Sequence, residues 1–191
     1  FIDRPANNFN ADVVVATNRE SAKEATEHLI KYGHKRIAYM GDSPDIYTAA
    51  ERFAGYKAAL AKAKIKLDHS IIHHGVNDKA DIERFTNSML TGANRVTAIF
   101  SSQNYVTLEA IRALTQRDLL SQIALVGFDD LPFADLVKPG ISLVTQDINK
   151  MAEVAARLLF ERINGKTSKT ELHEIPTIFT ARGSGEIRAP K

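Results

Sequence analysis

Several polar residues that can bind hydroxyl groups each follow a short apolar run in the sequence. They are Thr48, Arg52, Asn77, Gln103, Asp129 and Gln146. A guanidinium presents a planar fork of donors, a carboxylate presents paired acceptors, and side-chain amides supply both. Together these groups can grip the vicinal hydroxyls of a small polyol, and an aromatic ring such as that of Phe128 adds a flat apolar face. The residue types therefore indicate a site for a sugar-like molecule.

The apolar runs that would position these residues alternate with stretches of helical periodicity. Strands are predicted near residues 13–15, 37–40, 71–72, 98–100, 123–126, 143–144 and 178–179, and helix faces within 22–30, 49–63, 82–90, 106–114 and 151–159. This alternation predicts a doubly wound α/β fold with a parallel sheet covered by helices. Ligands bind outside the carboxyl ends of the strands in such sheets, so we expect the polar residues to converge there.

Each of these residues also has an ordinary structural interpretation. Arg52 could be a surface or salt-bridge arginine, and Asp129 and Asp130 could form an Asx turn or cap a helix. Asn77 and Gln103 could be loop or N-cap residues. Only their joint placement after successive strands favours a binding site over these alternatives.

The composition limits the classes of function. The chain has 191 residues, 44% apolar and 25% charged, with a formal charge of +2 and charges interspersed along its length. Without a basic stripe, direct nucleic-acid binding by these residues is disfavoured. The absence of cysteine excludes disulfides and thiolate metal sites and suits a reducing cytosol. No apolar run approaches the roughly 20 residues that span a bilayer, and we expect no cofactor.

Signals for an enzyme are weak. Gly165-Lys166-Thr167 ends a predicted helix and lacks the first glycine of a phosphate loop. Gly183-Ser184-Gly185 lacks the strand-to-helix elbow of a hydrolase. His73 and His74 are adjacent on a predicted strand and point to opposite faces, so they cannot share a metal ion. We therefore expect a binding module and no catalytic activity.

Several strings, taken together, resemble the lactose/galactose-repressor family of bacterial transcriptional regulators. They lie in the family's order and at nearly its spacing, and the resemblance extends over essentially the whole chain: residues 27–38 (EHLIKYGHKRIA), 51–56 (ERFAGY), 97–100 (TAIF), 126–130 (VGFDD), 143–147 (LVTQD), 175–176 (IP) and 181–184 (ARGS). No single string would suffice, but the set is specific.

The resemblance implies a type I periplasmic-binding-protein-like fold, with doubly wound parallel sheets in two lobes and an effector between them. Residues 1–34 and 146–174 would belong to an amino-side lobe that is incomplete in this chain, and residues 35–145 and 175–191 to a carboxyl-side lobe. It also implies a cytoplasmic regulator that reaches operator DNA through an amino-terminal helix-turn-helix headpiece, which we expect to lie outside this sequence.

The resemblance also assigns roles to residues. Arg52 and Asp129 match positions that bind effector hydroxyls, Thr48 a loop position near the ligand, and Gln146 a crossover that faces the cleft. Asn77 matches a position that is often aromatic, and Gln103-Asn104 replaces the usual Asn-Asp pair. The resemblance also implies a homodimer, formed through a segment with three apolar residues and one basic residue: Phe133, Leu136, Val137 and Lys138. The alternative is that this segment packs only within its own lobe.

The effector implied is a sugar, a nucleoside or a sugar phosphate. An exported solute-binding protein for sugar uptake shares the fold and is the second hypothesis. The repressor-like strings 126–130 and 146–147 argue against it. A carbohydrate-active enzyme is the third hypothesis, and turnover of nitrophenyl glycosides or sugar phosphates would reveal it.

Overall fold

The computed structural model describes residues 1–5, 9–75, 79–92 and 95–190. In these residues it has eight strands and five α-helices. The strands are β1 (Val13–Ala16), β2 (Ile37–Gly41), β3 (Ile72–His74), β4 (Ala98–Ser101), β5 (Ala124–Phe128), β6 (Ser142–Gln146), β7 (Leu172–Ile175) and β8 (Thr177–Thr180). The helices are α1 (Asn18–Lys31), α2 (Tyr47–Lys62), α3 (Lys79–Met89), α4 (Asn104–Thr115) and α5 (Ile148–Ile163).

A six-stranded sheet with the order β3-β2-β4-β5-β6-β8 forms the larger part of the molecule. The pairs from β3 to β6 are parallel, as predicted, whereas β8 runs antiparallel to β6. All residues of β2, β4 and β5 are buried, because helices cover both faces of the sheet. The doubly wound α/β architecture predicted from the sequence is therefore confirmed.

Two apolar cores lie on the two faces of this sheet. On one face α1 and α2 contribute residues such as Leu29 and Tyr56 to a cluster with Phe100 and Val126. On the other face residues of α3 and α4, among them Ile82, pack against the sheet. The helices thereby hold the strand ends, and the loops that follow them, in fixed positions.

The second sheet pairs β1 with β7 in parallel and packs against α5. Its small core includes Val14, Met151 and Leu158. The Asp147 side chain caps α5 by accepting a hydrogen bond from Lys150 N at 2.8 Å. The strand β7 was missing from the sequence prediction because its residues, Leu-His-Glu-Ile, carry little apolar signal and only the last is buried.

The packing of α1 differs from the boundary predicted at residue 34. That boundary assigns α1 to the same unit as β1, but its residues Ala22, Ala25 and Leu29 are buried in the core of the six-stranded sheet. α1 also packs against α2. α1 therefore packs with the six-stranded sheet, whereas the predicted boundary at residue 34 assigns it to the unit of β1.

Candidate functional site

The order of the strands places a crevice between the carboxyl ends of β2 and β4. The connection that leaves the carboxyl end of β2 runs to β3 on one side, and the connection that leaves the carboxyl end of β4 runs to β5 on the other. The two connections therefore diverge and leave the crevice between them. A cavity of about 140 Å³ opens here. We call it the polar cavity, and its lining residues are Asp3, Arg4, Asp42, Thr48, Ala49, Arg52, Ser102, Gln103, Asn104, Asp129 and Gln146.

Arg52 projects into this crevice from the second turn of α2 and is 5% exposed. Its Nε donates to Asn18 Oδ1 at 2.8 Å, and its Nη1 donates to the backbone carbonyl of Ser102 at 2.7 Å. Nη1 also lies 3.4 Å from Asp129 Oδ2. Contacts from three separate segments therefore fix the orientation of the guanidinium.

Asp129 follows β5 directly and adopts a left-handed backbone conformation, with φ of 69°. This geometry is uncommon outside glycine, but aspartate tolerates it. Its Oδ1 accepts a hydrogen bond of 2.5 Å from Gln146 Nε2. Arg52, Asp129 and Gln146 are therefore linked around one carboxylate, as the strand topology predicts.

Burial determines the electrostatics of Arg52. Loss of solvent lowers the pKa of the guanidinium, and the negative charge of Asp129 opposes this shift. Its Cζ also lies 3.7 Å from the centre of the Phe128 ring, a cation–π contact. An arginine retains its charge under these conditions, so the cavity contains a buried, oriented cation beside a carboxylate.

Phe128 was predicted to offer a face to the ligand, and this prediction is wrong. The side chain is fully buried and does not line the polar cavity. Alternate residues of a strand point to the same face, so Phe128 enters the core together with Val126, whereas Asp129 follows the strand and reaches the cavity. Its aromatic face supports the guanidinium of Arg52 instead.

The other predicted site residues have different outcomes. Thr48, Gln103 and Gln146 line the polar cavity, and Thr48 is buried. The Gln103 Oε1 atom is buried and has no hydrogen-bond partner among the described residues. Asn77 lies outside the described residues. Asp130 forms a local contact, because its Oδ1 accepts from Leu131 N at 3.0 Å.

Sequence analysis missed Asp3 and Arg4, which reach the polar cavity from the segment before β1. Ile2 forms a bridge with Val14, and Asp3 N donates to the Val14 carbonyl at 2.8 Å. The apolar pair Phe1-Ile2 before Asp3 repeats the pattern of an apolar run followed by a polar residue. That pattern was the available signal.

Within the described residues, no cluster of three or more His, Asp or Glu side chains could hold a metal ion. No helix in this part of the chain is long and apolar enough to cross a bilayer. Ser184 is fully buried, and its Oγ donates to the Leu125 carbonyl at 2.6 Å and accepts from Ser142 N at 2.9 Å. It therefore fastens the closing segment to the sheet.

The predicted dimer segment lies after β5 and has a mixed environment. Phe133 and Val137 are partly buried against the core of the six-stranded sheet. Leu136 is 74% exposed, and Lys138 is also exposed. The segment therefore combines packing within the protein with an apolar side chain that faces solvent.

A parallel sheet whose strand ends surround a polar cavity is the architecture of a small-molecule-binding α/β domain. The sequence matches the family model of the periplasmic binding protein-like domain over residues 26–185. The HTH-type transcriptional repressor PurR of Mannheimia succiniciproducens is 29% identical over 93% of this chain and 54% of its own length. The HTH-type transcriptional regulator CelR of Thermobifida fusca is 31% identical over 88% of this chain and 50% of its own length.

A solved complex of the transcriptional regulator CelR with cellobiose has a TM-score of 0.85 at 28% identity. The match covers 96% of this chain and 57% of that one. The chain thus belongs to the periplasmic-binding-protein-like domains, and among them to the effector-binding domains of the lactose/galactose-repressor family. It spans about half the length of the curated relatives it matches.

Proposed function

We propose that this chain is the effector-sensing part of a bacterial transcriptional regulator. A sugar or sugar-containing metabolite would bind at the polar cavity between two lobes. The first lobe would comprise residues 1–17 and 146–174, and the second would comprise residues 18–145, which include α1, and 175–191. The linked set of Arg52, Asp129 and Gln146 carries the proposal, because it supplies oriented donors and acceptors within one cavity.

Effector binding would control DNA binding through a helix-turn-helix headpiece in the same protein. The effector must bind the two lobe arrangements with different affinities, because equal affinities would transmit nothing to the DNA. The relatives support this role, since they are transcriptional regulators and one is solved with cellobiose. They do not favour an exported solute-binding protein or an enzyme, and a regulator of this class works in the cytoplasm.

A ligand screen followed by calorimetry on the intact protein tests the proposal. The screen uses thermal shifts with pentoses, hexoses, disaccharides, nucleosides and sugar phosphates. For the best ligand, we expect Arg52→Ala and Asp129→Ala each to weaken binding by about 2 kcal/mol or more, because ligand hydroxyls lose their partners. Unchanged affinity in both variants would refute the placement of the site.

Arg117→Ala is the matched control. Arg117 is exposed and follows the carboxyl end of α4, which lies at the opposite edge of the sheet because α4 runs antiparallel to its strand. Its Nε contacts Asn87 Oδ1 at 2.9 Å, away from the polar cavity. We expect wild-type affinity in this variant. Release or recruitment of selected DNA upon ligand addition then tests the regulatory part of the proposal.

A further inference from the structure

Both cations of the polar cavity already have a carboxylate partner. Arg52 faces Asp129, and Arg4 Nε lies 3.5 Å from Asp3 Oδ2. Asp42 also lines the cavity but forms no ion pair with another described residue. The described lining residues therefore carry three carboxylates and two guanidinium groups, and no cation is left without a carboxylate partner.

The hydrogen-bonding groups of the cavity also favour one kind of ligand. Gln103 Oε1 is a buried acceptor without a partner in the described residues, so it requires a donor. The carboxylates of Asp42 and Asp129 accept hydrogen bonds and donate none while ionised. A ligand that satisfies these oxygens must itself carry O–H or N–H groups.

The amino ends of two helices add positive partial charge to the polar cavity, which opposes the negative charge of its carboxylates. Thr48 and Ala49, in the first turn of α2, and Gln103 and Asn104, at the start of α4, all line the cavity. Each helix end contributes a positive partial charge of roughly half a unit. Together these ends offset about one carboxylate, which brings the cavity near neutrality without creating an excess of positive charge.

We propose that the polar cavity binds the free hydroxyl groups of an uncharged polyol and excludes phosphate and carboxylate groups. This inference rests on the proposed function and narrows the class of effector. A phosphate monoester carries about −1.5 to −2 charges at pH 7 and offers mainly acceptor oxygens. In this cavity it would lose solvent without gaining an unpaired cation, and its oxygens would meet the Asp42 carboxylate acceptor to acceptor.

Calorimetry of matched sugar pairs on the intact protein tests this selectivity. Ribose is compared with ribose 5-phosphate, glucose with glucose 6-phosphate, and glucose with glucuronate. We expect an uncharged sugar to bind and its charged counterpart to bind at least about tenfold more weakly, because the charge must be desolvated. Equal or tighter binding of the charged counterparts would overturn the inference and leave the proposed function intact. Failure of every compound in the thermal-shift screen, together with these pairs, would overturn both.

Asp42→Asn separates charge from shape. The substitution removes one negative charge and retains the side-chain oxygen that accepts from Ser43 N at 2.9 Å. In each pair, the dissociation constant of the charged sugar divided by that of the uncharged sugar should fall by about threefold to tenfold, because a negative charge near the charged group of the ligand is lost. Asp118→Asn, at an exposed position beyond the far end of α4, removes the same charge elsewhere and should leave the ratio unchanged. An unchanged ratio in Asp42→Asn would contradict the inference.

Discussion

Arg52 directs most of its hydrogen bonds to the protein itself. Its Nε and Nη1 bind Asn18 and the Ser102 carbonyl, while Nη2 makes no hydrogen bond to another described residue. The two N–H donors of Nη2 are therefore held in fixed directions before any ligand arrives. Preorganisation of this kind lowers the entropic cost of binding a small molecule.

We expect Arg52→Lys to impair the site although it conserves the charge. A single ammonium on a flexible stem cannot reproduce the planar fork that reaches Asn18 and Ser102 together. One buried partner should remain unsatisfied, and the free energy of unfolding should fall by about 1–3 kcal/mol. Urea denaturation of the wild type and the variant measures this loss. Equal midpoints and slopes would show that the fork geometry is dispensable.

His34 gives the protein a pH-dependent contribution to stability. The ring is fully buried, with Nδ1 2.9 Å from Thr97 Oγ1 and Nε2 2.8 Å from the Ile187 carbonyl. Burial lowers the pKa of His34 below its ordinary value of 6.5, and the hydrogen bond to Ile187 opposes this shift only in part. The unfolded chain therefore takes up a proton at higher pH than the folded protein does.

The sign of the effect follows from this order. As pH falls below about 6.5, the unfolded state gains protons first, so the free energy of unfolding decreases until the folded-state pKa is passed. His34→Gln should have a flatter profile between pH 7 and pH 5. Burial also lowers the pKa of His74, so the difference between the two profiles isolates His34. Parallel profiles over this range would contradict the prediction.

At the residue scale, the sequence predicts best where chain topology alone determines position. Asp129 follows β5 directly and Gln146 ends the neighbouring parallel strand β6, so their proximity follows from the strand order. The orientation of Phe128 also follows from strand alternation, a rule that the functional interpretation of this residue overlooked. Asp3 and Arg4 could not be placed in this way, because only tertiary contacts bring that segment to the cavity.

At the scale of elements, all five helices and most strands are predictable because apolar periodicity reports burial. The unit to which an element belongs is less predictable. The apolar face of α1 must pack against another apolar surface, but several elements offer such a surface. The periodicity of the sequence predicts that the face is buried and does not identify the element that covers it. The close approach of α1 to α2 depends on a glycine, and this detail becomes visible only when the two helices are seen together.

Gly55 permits that approach. A β-carbon at this position would lie 2.1 Å from the Arg19 carbonyl oxygen and 2.9 Å from Lys23 N, both backbone atoms of α1. Gly55→Ala should therefore force the helices apart and reduce the free energy of unfolding by about 1–3 kcal/mol, despite the higher helix propensity of alanine. Thermal and urea denaturation measure the loss.

Ala61→Ser, at an exposed position of the same helix, is the control and should change stability by less than about 0.5 kcal/mol. Because Gly55 lies one turn from Arg52, displacement of α2 should also weaken ligand binding. A stabilised Gly55→Ala variant would mean that helix propensity outweighs the packing of α1 against α2.

At the scale of the whole molecule, the exposed Leu136 bears on assembly. Phe133 and Val137 pack against the core and fix the position of the segment. The side chain of Leu136, between them, is 74% exposed. A single exposed leucine is ordinary on a protein surface. The expectation that this segment forms a homodimer contact therefore comes from the family resemblance and requires a direct test.

We expect Leu136→Asp to shift the intact protein from dimer toward monomer in sedimentation velocity, because a carboxylate would be buried in an apolar contact. Ile178→Asp is the matched control, since Ile178 is 60% exposed on the edge strand β8, outside the predicted contact. It should leave the dimer unchanged. If Leu136→Asp sediments as the wild type does, Leu136 is not part of the contact. If the wild type is itself a monomer at micromolar concentration, the segment serves only to pack against its own lobe.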